Sequence, residues 1–155
     1  MALPIHKHLI IRAEVSNPPG ENDVEKTKQW MIDLIKTIDM KLLSGPHCEY
    51  VKVEGNAGIT VVSIIETSHI AMHIWDEPNP ALLQLDVYTC GPFKPIQVFE
   101  KLRDFGLVKI EWKYLDRETN LKLEHIGMWE NPTEGTGWES LREAQLPNHA
   151  TLNNG

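Results

Sequence analysis

The chain has 155 residues, 41% apolar and 24% charged, with a formal charge of −7, which is enough for one ordinary globular domain around a single core. No stretch concentrates Lys and Arg, so nucleic acid and anionic membrane are excluded as expected partners. Apolar runs such as residues 59–65 are too short to span a bilayer, the opening residues lack a basic-then-apolar leader, and two cysteines fit free thiols in a cytoplasmic protein.

Residues 8–15 read as a first strand, rich in β-branched side chains and ended by Ser16-Asn17-Pro18-Pro19-Gly20. A helix is expected over residues 23–43, because Val24, Thr27, Met31, Leu34, Ile35, Ile38 and Leu42 recur at three- and four-residue spacing, with Gly45-Pro46 as its stop. The period then changes to two. Strands are expected at 50–54, 60–65, 70–75 and 83–89, divided by Gly55-Asn56, a corner at 66–69 and Pro78-Asn79-Pro80. Pro95 suits the first turn of a second helix facing the core through Ile96, Phe99, Leu102 and Phe105, and Gly106 closes it. A last strand alternates over 107–115, after which the pattern fades, apart from a helical hint at 139–144.

This order predicts an α+β fold: a two-layer sandwich of a mainly antiparallel sheet with two helices on one face. Its second face would be left open, and a homodimer packing sheet on sheet is the natural cover. One domain is expected over 1–126, with a partly loose tail over 127–155.

Residues 58–91 carry the chemistry. Gly58-Ile59-Thr60, Ser68-His69, His73-Ile74-Trp75 and Asp86 to Gly91 stand in the order and near-spacing of Gly-Val-Ser/Thr, Ser-His, His-Thr-Trp and Asp-x-x-Thr-Cys-Gly, after an opening His8-Leu9. In this the chain resembles the bacterial and archaeal S-adenosylmethionine decarboxylase proenzymes along about 115 residues. The resemblance implies self-cleavage between Thr67 and Ser68, with Ser68 as nucleophile and source of a pyruvoyl group. It assigns His73 as the processing base and Thr60 as a hydroxyl assisting the cyclic intermediate. Imidazole suits a base because it titrates near neutrality. The pyruvoyl carbonyl would hold S-adenosylmethionine as a Schiff base and act as electron sink, Cys90 would protonate the product carbanion, and decarboxylated substrate would feed spermidine biosynthesis.

Taken singly, each of these residues has a plainer reading. Ser68 caps a turn, His73 is a half-buried strand histidine, Cys90 a small buried hydrophobe and Thr60 a packing residue. On a regular strand Ser68 and His73 point to opposite faces, so the corner must bend for them to meet. His69 and His73 would stand about 13 Å apart on a strand, and His6 with His8 supplies only two ligands, so no metal is expected. The chain departs from the family at Thr67, where Glu is usual, at Trp75-Asp76 in place of Trp-Pro, and in a loop over 77–84 two residues longer, near the expected substrate pocket. These departures keep two alternatives open: decarboxylation of arginine or ornithine by the same machinery, and a non-cleaving relative that acts as a binding partner.

Overall fold

Alternation of side chains sorts the sheet into two faces. The structure, a computed structural model, describes residues 5–131 and Leu141. In β1 (Lys7–Val15), Leu9, Ile11, Ala13 and Val15 are buried while the residues between them are not. The same period runs through β3 (Gly58–Ile65), β4 (Ser68–Trp75) and β5 (Ala81–Thr89), giving one continuous inward face. Against it lie α1 (Val24–Thr37) and α2 (Pro95–Leu102), joined where the Trp30 indole N–H donates to the Lys101 carbonyl at 3.1 Å. Helix α2 starts at Pro95 and buries Val98, Phe99 and Leu102, and Gly106, at φ 70°, ends the 3-10 turn that extends it.

With β2 (Leu42–Val51), β6 (Leu107–Asp116) and β7 (Leu123–Glu130), the strands make one seven-stranded sheet in the order β2-β3-β4-β5-β1-β6-β7, antiparallel at every pairing. The first strand therefore sits between β5 and β6, and β4, β5 and β1 are consecutive neighbours at the centre. The expected α+β class, antiparallel sheet and pair of helices are all present.

Two elements differ from expectation. The first helix ends at Thr37 rather than near residue 43. Asp39 takes a left-handed φ of 58°, and the Met40 N–H to Ile35 carbonyl and Asp39 N–H to Lys36 carbonyl bonds (2.9 and 3.0 Å) close it as a Schellman cap. Leu42 and Leu43, assigned to the helix by periodicity, begin β2 and are exposed. Gly45-Pro46 lies inside that edge strand, where the register slips, and β2 reaches only to Val51. The second difference is β7, which the sequence pattern did not announce and which runs across the expected end of the domain at 126. Its close packing depends on Gly127, where a Cβ would stand 2.1 Å from the Trp112 ring. The helical hint at 139–144 lies outside the described residues except for Leu141, which is helical and buried.

Among the described residues nothing covers the second sheet face. Ile10 and Ile64 on it are 42% and 46% exposed, alongside a polar strip of His8, Arg12, His69, His73, Gln84 and Asp86. Among the described residues no helix is long and apolar enough to cross a membrane.

Candidate active site

A two-residue corner, Glu66-Thr67, joins β3 to β4, closed by the pairing of Ile65 with Ser68. Ser68 has φ 151°, a backbone region that glycine tolerates and a serine occupies only under strain, at a cost of about 1–3 kcal/mol. The residue before it is held on both sides. The Thr67 hydroxyl donates to Met40 Sδ at 3.2 Å, and the Thr67 carbonyl accepts the Cys90 N–H at 2.8 Å. Cys90 is placed there by register, because its neighbour Thr89 pairs with Ser68. The fully buried Thr89 hydroxyl locks the turn by accepting the Gly91 N–H at 3.0 Å and donating to the Gly91 carbonyl. Thr-Cys-Gly is thus a turn that aims one backbone amide at the carbonyl preceding Ser68 and leaves the Cys90 thiol exposed.

Thr60 and His73 form a second group. They are paired across β3 and β4, and Thr60 Oγ1 lies 3.1 Å from His73 Nδ1. His73 borders a shallow open depression on the uncovered face with Ile10, Arg12, Gln84 and Asp86, and its ring leans on Trp75 at 5.9 Å between centroids. The structure therefore joins Ser68 to Cys90 and Thr60 to His73, but keeps the two groups apart. Ser68 and His73 are five residues apart on one strand, roughly 16 Å at the usual rise. The bend at Ser68 does not bring the imidazole of the same chain to it.

The lengthened loop also lies elsewhere than expected. It leaves β4 after Trp75, at the end far from Ser68, and its residues from Ala81 onward belong to β5. Glu77 accepts the Gly55 and Ala57 N–H groups, both at 3.0 Å, and these bonds hold its carboxyl below the usual range. The loop clamps the β2–β3 turn and does not overhang the Glu66-Thr67 corner.

Beside the corner is a network that the motifs did not assemble in advance. His8 Nε2 and His69 Nε2 each lie 3.1 Å from Asp86 Oδ1. Tyr88 stands between the two histidines in register, and the Arg117 guanidinium lies 3.9 Å over its ring. Burial pushes the Asp86 carboxyl up, but the His8 hydrogen bond and the two imidazoles outweigh it and hold the group below the ordinary carboxylate range. His8 and Asp86 were visible as motif members; only the register across β4, β5 and β1 shows that they meet.

The sequence pattern of the S-adenosylmethionine decarboxylase family matches residues 7–118. The chain belongs to that family. Similar family members include the S-adenosylmethionine decarboxylase proenzyme of Thermodesulfovibrio yellowstonii, 31% identical over 84 residues, or 54% of this chain and 58% of that one. The proenzyme of Thermococcus onnurineus is 29% identical over 107 residues, or 69% and 70% of the two chains. The matches thus span between somewhat over half and about two thirds of these relatives' lengths. The crystal structure of the adenosylmethionine decarboxylase from Aquifex aeolicus superposes with a TM-score of 0.54 at 20% identity, covering 75% of this chain and 92% of that one. At that identity the likeness speaks for the family fold alone.

Proposed function

We propose that this chain is a self-processing decarboxylase precursor that cleaves before Ser68, converts that residue to a pyruvoyl group and acts on S-adenosylmethionine. The observation that carries the reading is the corner itself: a strained serine whose preceding carbonyl already accepts a backbone N–H from Cys90. When Ser68 Oγ attacks the Thr67 carbonyl carbon, negative charge develops on the oxygen that this amide faces, and a preorganised donor there lowers the barrier. The acyl shift breaks the Thr67–Ser68 peptide bond, forms an ester and relieves the strain at Ser68. Removal of the Ser68 α-proton by His73, with Thr60 fixing the ring, expels the Thr67 carboxylate. Addition of water and loss of ammonia then complete the new chain start. Thr67, where the family usually has Glu, leaves this chemistry intact because only its carbonyl takes part.

The corner residues fit the pyruvoyl group, since the new terminus would lie beside an exposed thiol. Once formed, the group supplies an electron sink for loss of carbon dioxide. Cys90 then delivers a proton to the substrate α-carbon, a role open to a thiol at neutral pH. Because His73 and Ser68 are separated within one protomer, the reading includes a homodimer paired through the uncovered face, in which His73 and Thr60 of one copy serve Ser68 of the other. The exposed Ile10 and Ile64 support this pairing.

Intact-mass measurement on the denatured protein tests the chemistry. Two fragments meeting at Thr67–Ser68, the second with a pyruvoyl-terminated mass, are expected, and Ser68→Ala should remain one chain. Cleavage in Ser68→Ala, or a wild-type chain that stays whole on long incubation, would overturn the proposal.

A further inference from the structure

We infer that His8, His69 and Asp86 form a binding site for a first-row divalent transition-metal ion on the open sheet face. The inference does not depend on the decarboxylase reading. The three residues come from three adjacent strands: His8 on β1, His69 on β4 and Asp86 on the intervening β5. His8, Tyr88 and His69 share one row across the sheet, while Ile10, Asp86 and Ala71 share the row two residues on. The two imidazoles lean diagonally to one carboxylate oxygen, and one ligand atom from each of the three residues falls within 4.8 Å of the others.

The spacing suits a metal. Two ligands held at about 2.0–2.1 Å from a tetrahedral ion stand roughly 3.3 Å apart, and both Nε2 atoms are 3.1 Å from Asp86 Oδ1. Two imidazoles and a carboxylate favour zinc, cobalt or nickel over magnesium or calcium, which prefer oxygen ligands. Three protein ligands leave a further coordination position on the outer side of the sheet, for water or for a group of a second copy packed on that face.

Arg117 sets the affinity. Its Nη1 lies 3.3 Å from His8 Nδ1, and a guanidinium only donates, so Nδ1 accepts and the ring proton sits on Nε2. Ligation through Nε2 moves that proton to Nδ1, where it faces the Arg117 donors. The arginine therefore weakens binding through a partner outside the ligand set. An acceptor in its place removes the conflict. His69 has no such brake among the described residues: its side chain is 44% exposed in a single protomer, so water can serve the freed Nδ1–H.

Chelator-treated protein as purified, cleaved or whole, titrated with cobalt(II) should show the visible absorption of a low-symmetry nitrogen–oxygen site, saturating at one ion per protomer. Zinc(II) should displace it. His69→Gln and Asp86→Asn are each expected to lower affinity at least about tenfold, while Arg117→Gln should tighten it. His47→Gln, on the distant edge strand β2, should match the wild type. His69→Gln keeps the test informative if Asp86→Asn disturbs folding, which circular dichroism reports. Absence of saturable binding, binding unchanged in His69→Gln, or equal loss in His47→Gln would overturn the site.

Discussion

Cys90 brings two different groups to the corner before Ser68, and the proposed roles of the two can be tested separately. Its backbone N–H is bonded to the Thr67 carbonyl, whereas its thiol is exposed and takes no part in that bond. Cys90→Ala keeps the amide, so it should self-cleave at close to the wild-type rate and then lose most turnover or misprotonate its product. Cys90→Pro removes the N–H and should slow cleavage about 10²–10³-fold, the usual cost of losing one oxyanion donor. Intact mass over time and product analysis on S-adenosylmethionine read the two effects. Slow cleavage in Cys90→Ala would shift the processing role to the thiol. At this scale the sequence could name the candidate side chains. Ser68, His73, Cys90 and Thr60 carry side chains whose chemistry declares itself, and the pairing of Thr60 with His73 follows from a single hairpin register. The Cys90 amide was hidden, since every residue but proline has one and only the fold decides which carbonyl it meets.

Between residues and the whole fold, the sequence was read well where hydrophobic period and punctuation agreed, and poorly where they competed. Pro95 and Gly106 bracket the second helical segment as expected, because one pre-sets a helical φ and the other accepts a positive one. The first helix carried no glycine at its end, so the pattern ran on through Leu42 to the next obvious breaker. Asp39 performs the closure instead, at φ 58° and exposed. Asp39→Gly should therefore stabilise the protein by about 0.5–1 kcal/mol, the left-handed strain being larger than the entropy glycine adds to the unfolded chain. For a chain of this size that is a rise of about 1–4 °C in Tm, readable by calorimetry; a fall would mean the Asp39 side chain contributes more to the cap than its backbone costs. The edge strands β2 and β7 escaped for a related reason. Covered on at most one side, they show only a weak alternation of buried and exposed positions, and β2 is interrupted by Gly45-Pro46.

For the whole molecule, the governing fact is that one protomer keeps the candidate residues in two separate groups. Ser68 and Cys90 lie at one end of β4 and β5, while Thr60 and His73 lie nearer the middle of the sheet, on the face left open. Sequence periodicity could say that Ser68 and His73 conflict in facing; it could not say whether the corner or a second chain resolves the conflict. The register favours a second chain, because a bend at one residue does not retract a separation of five along a paired strand. The consequence is a complementation test. On the proposed reading Ser68→Ala lacks the nucleophile and His73→Ala lacks the base, so each alone should remain uncleaved or stall as an ester. Co-expressed in equal amounts, they pair at random under two-fold symmetry, and each mixed dimer contains one complete site, built from Ser68 of the His73→Ala chain and His73 of its partner. About half of the His73→Ala chains should then be cleaved, and no Ser68→Ala chain, which intact mass distinguishes directly. If the mixture stays uncleaved although mixed dimers form, each protomer processes itself after a rearrangement of its own corner. If instead His73→Ala cleaves normally by itself, the base is another group, and His69, next to Ser68 and held by Asp86, becomes the first residue to replace.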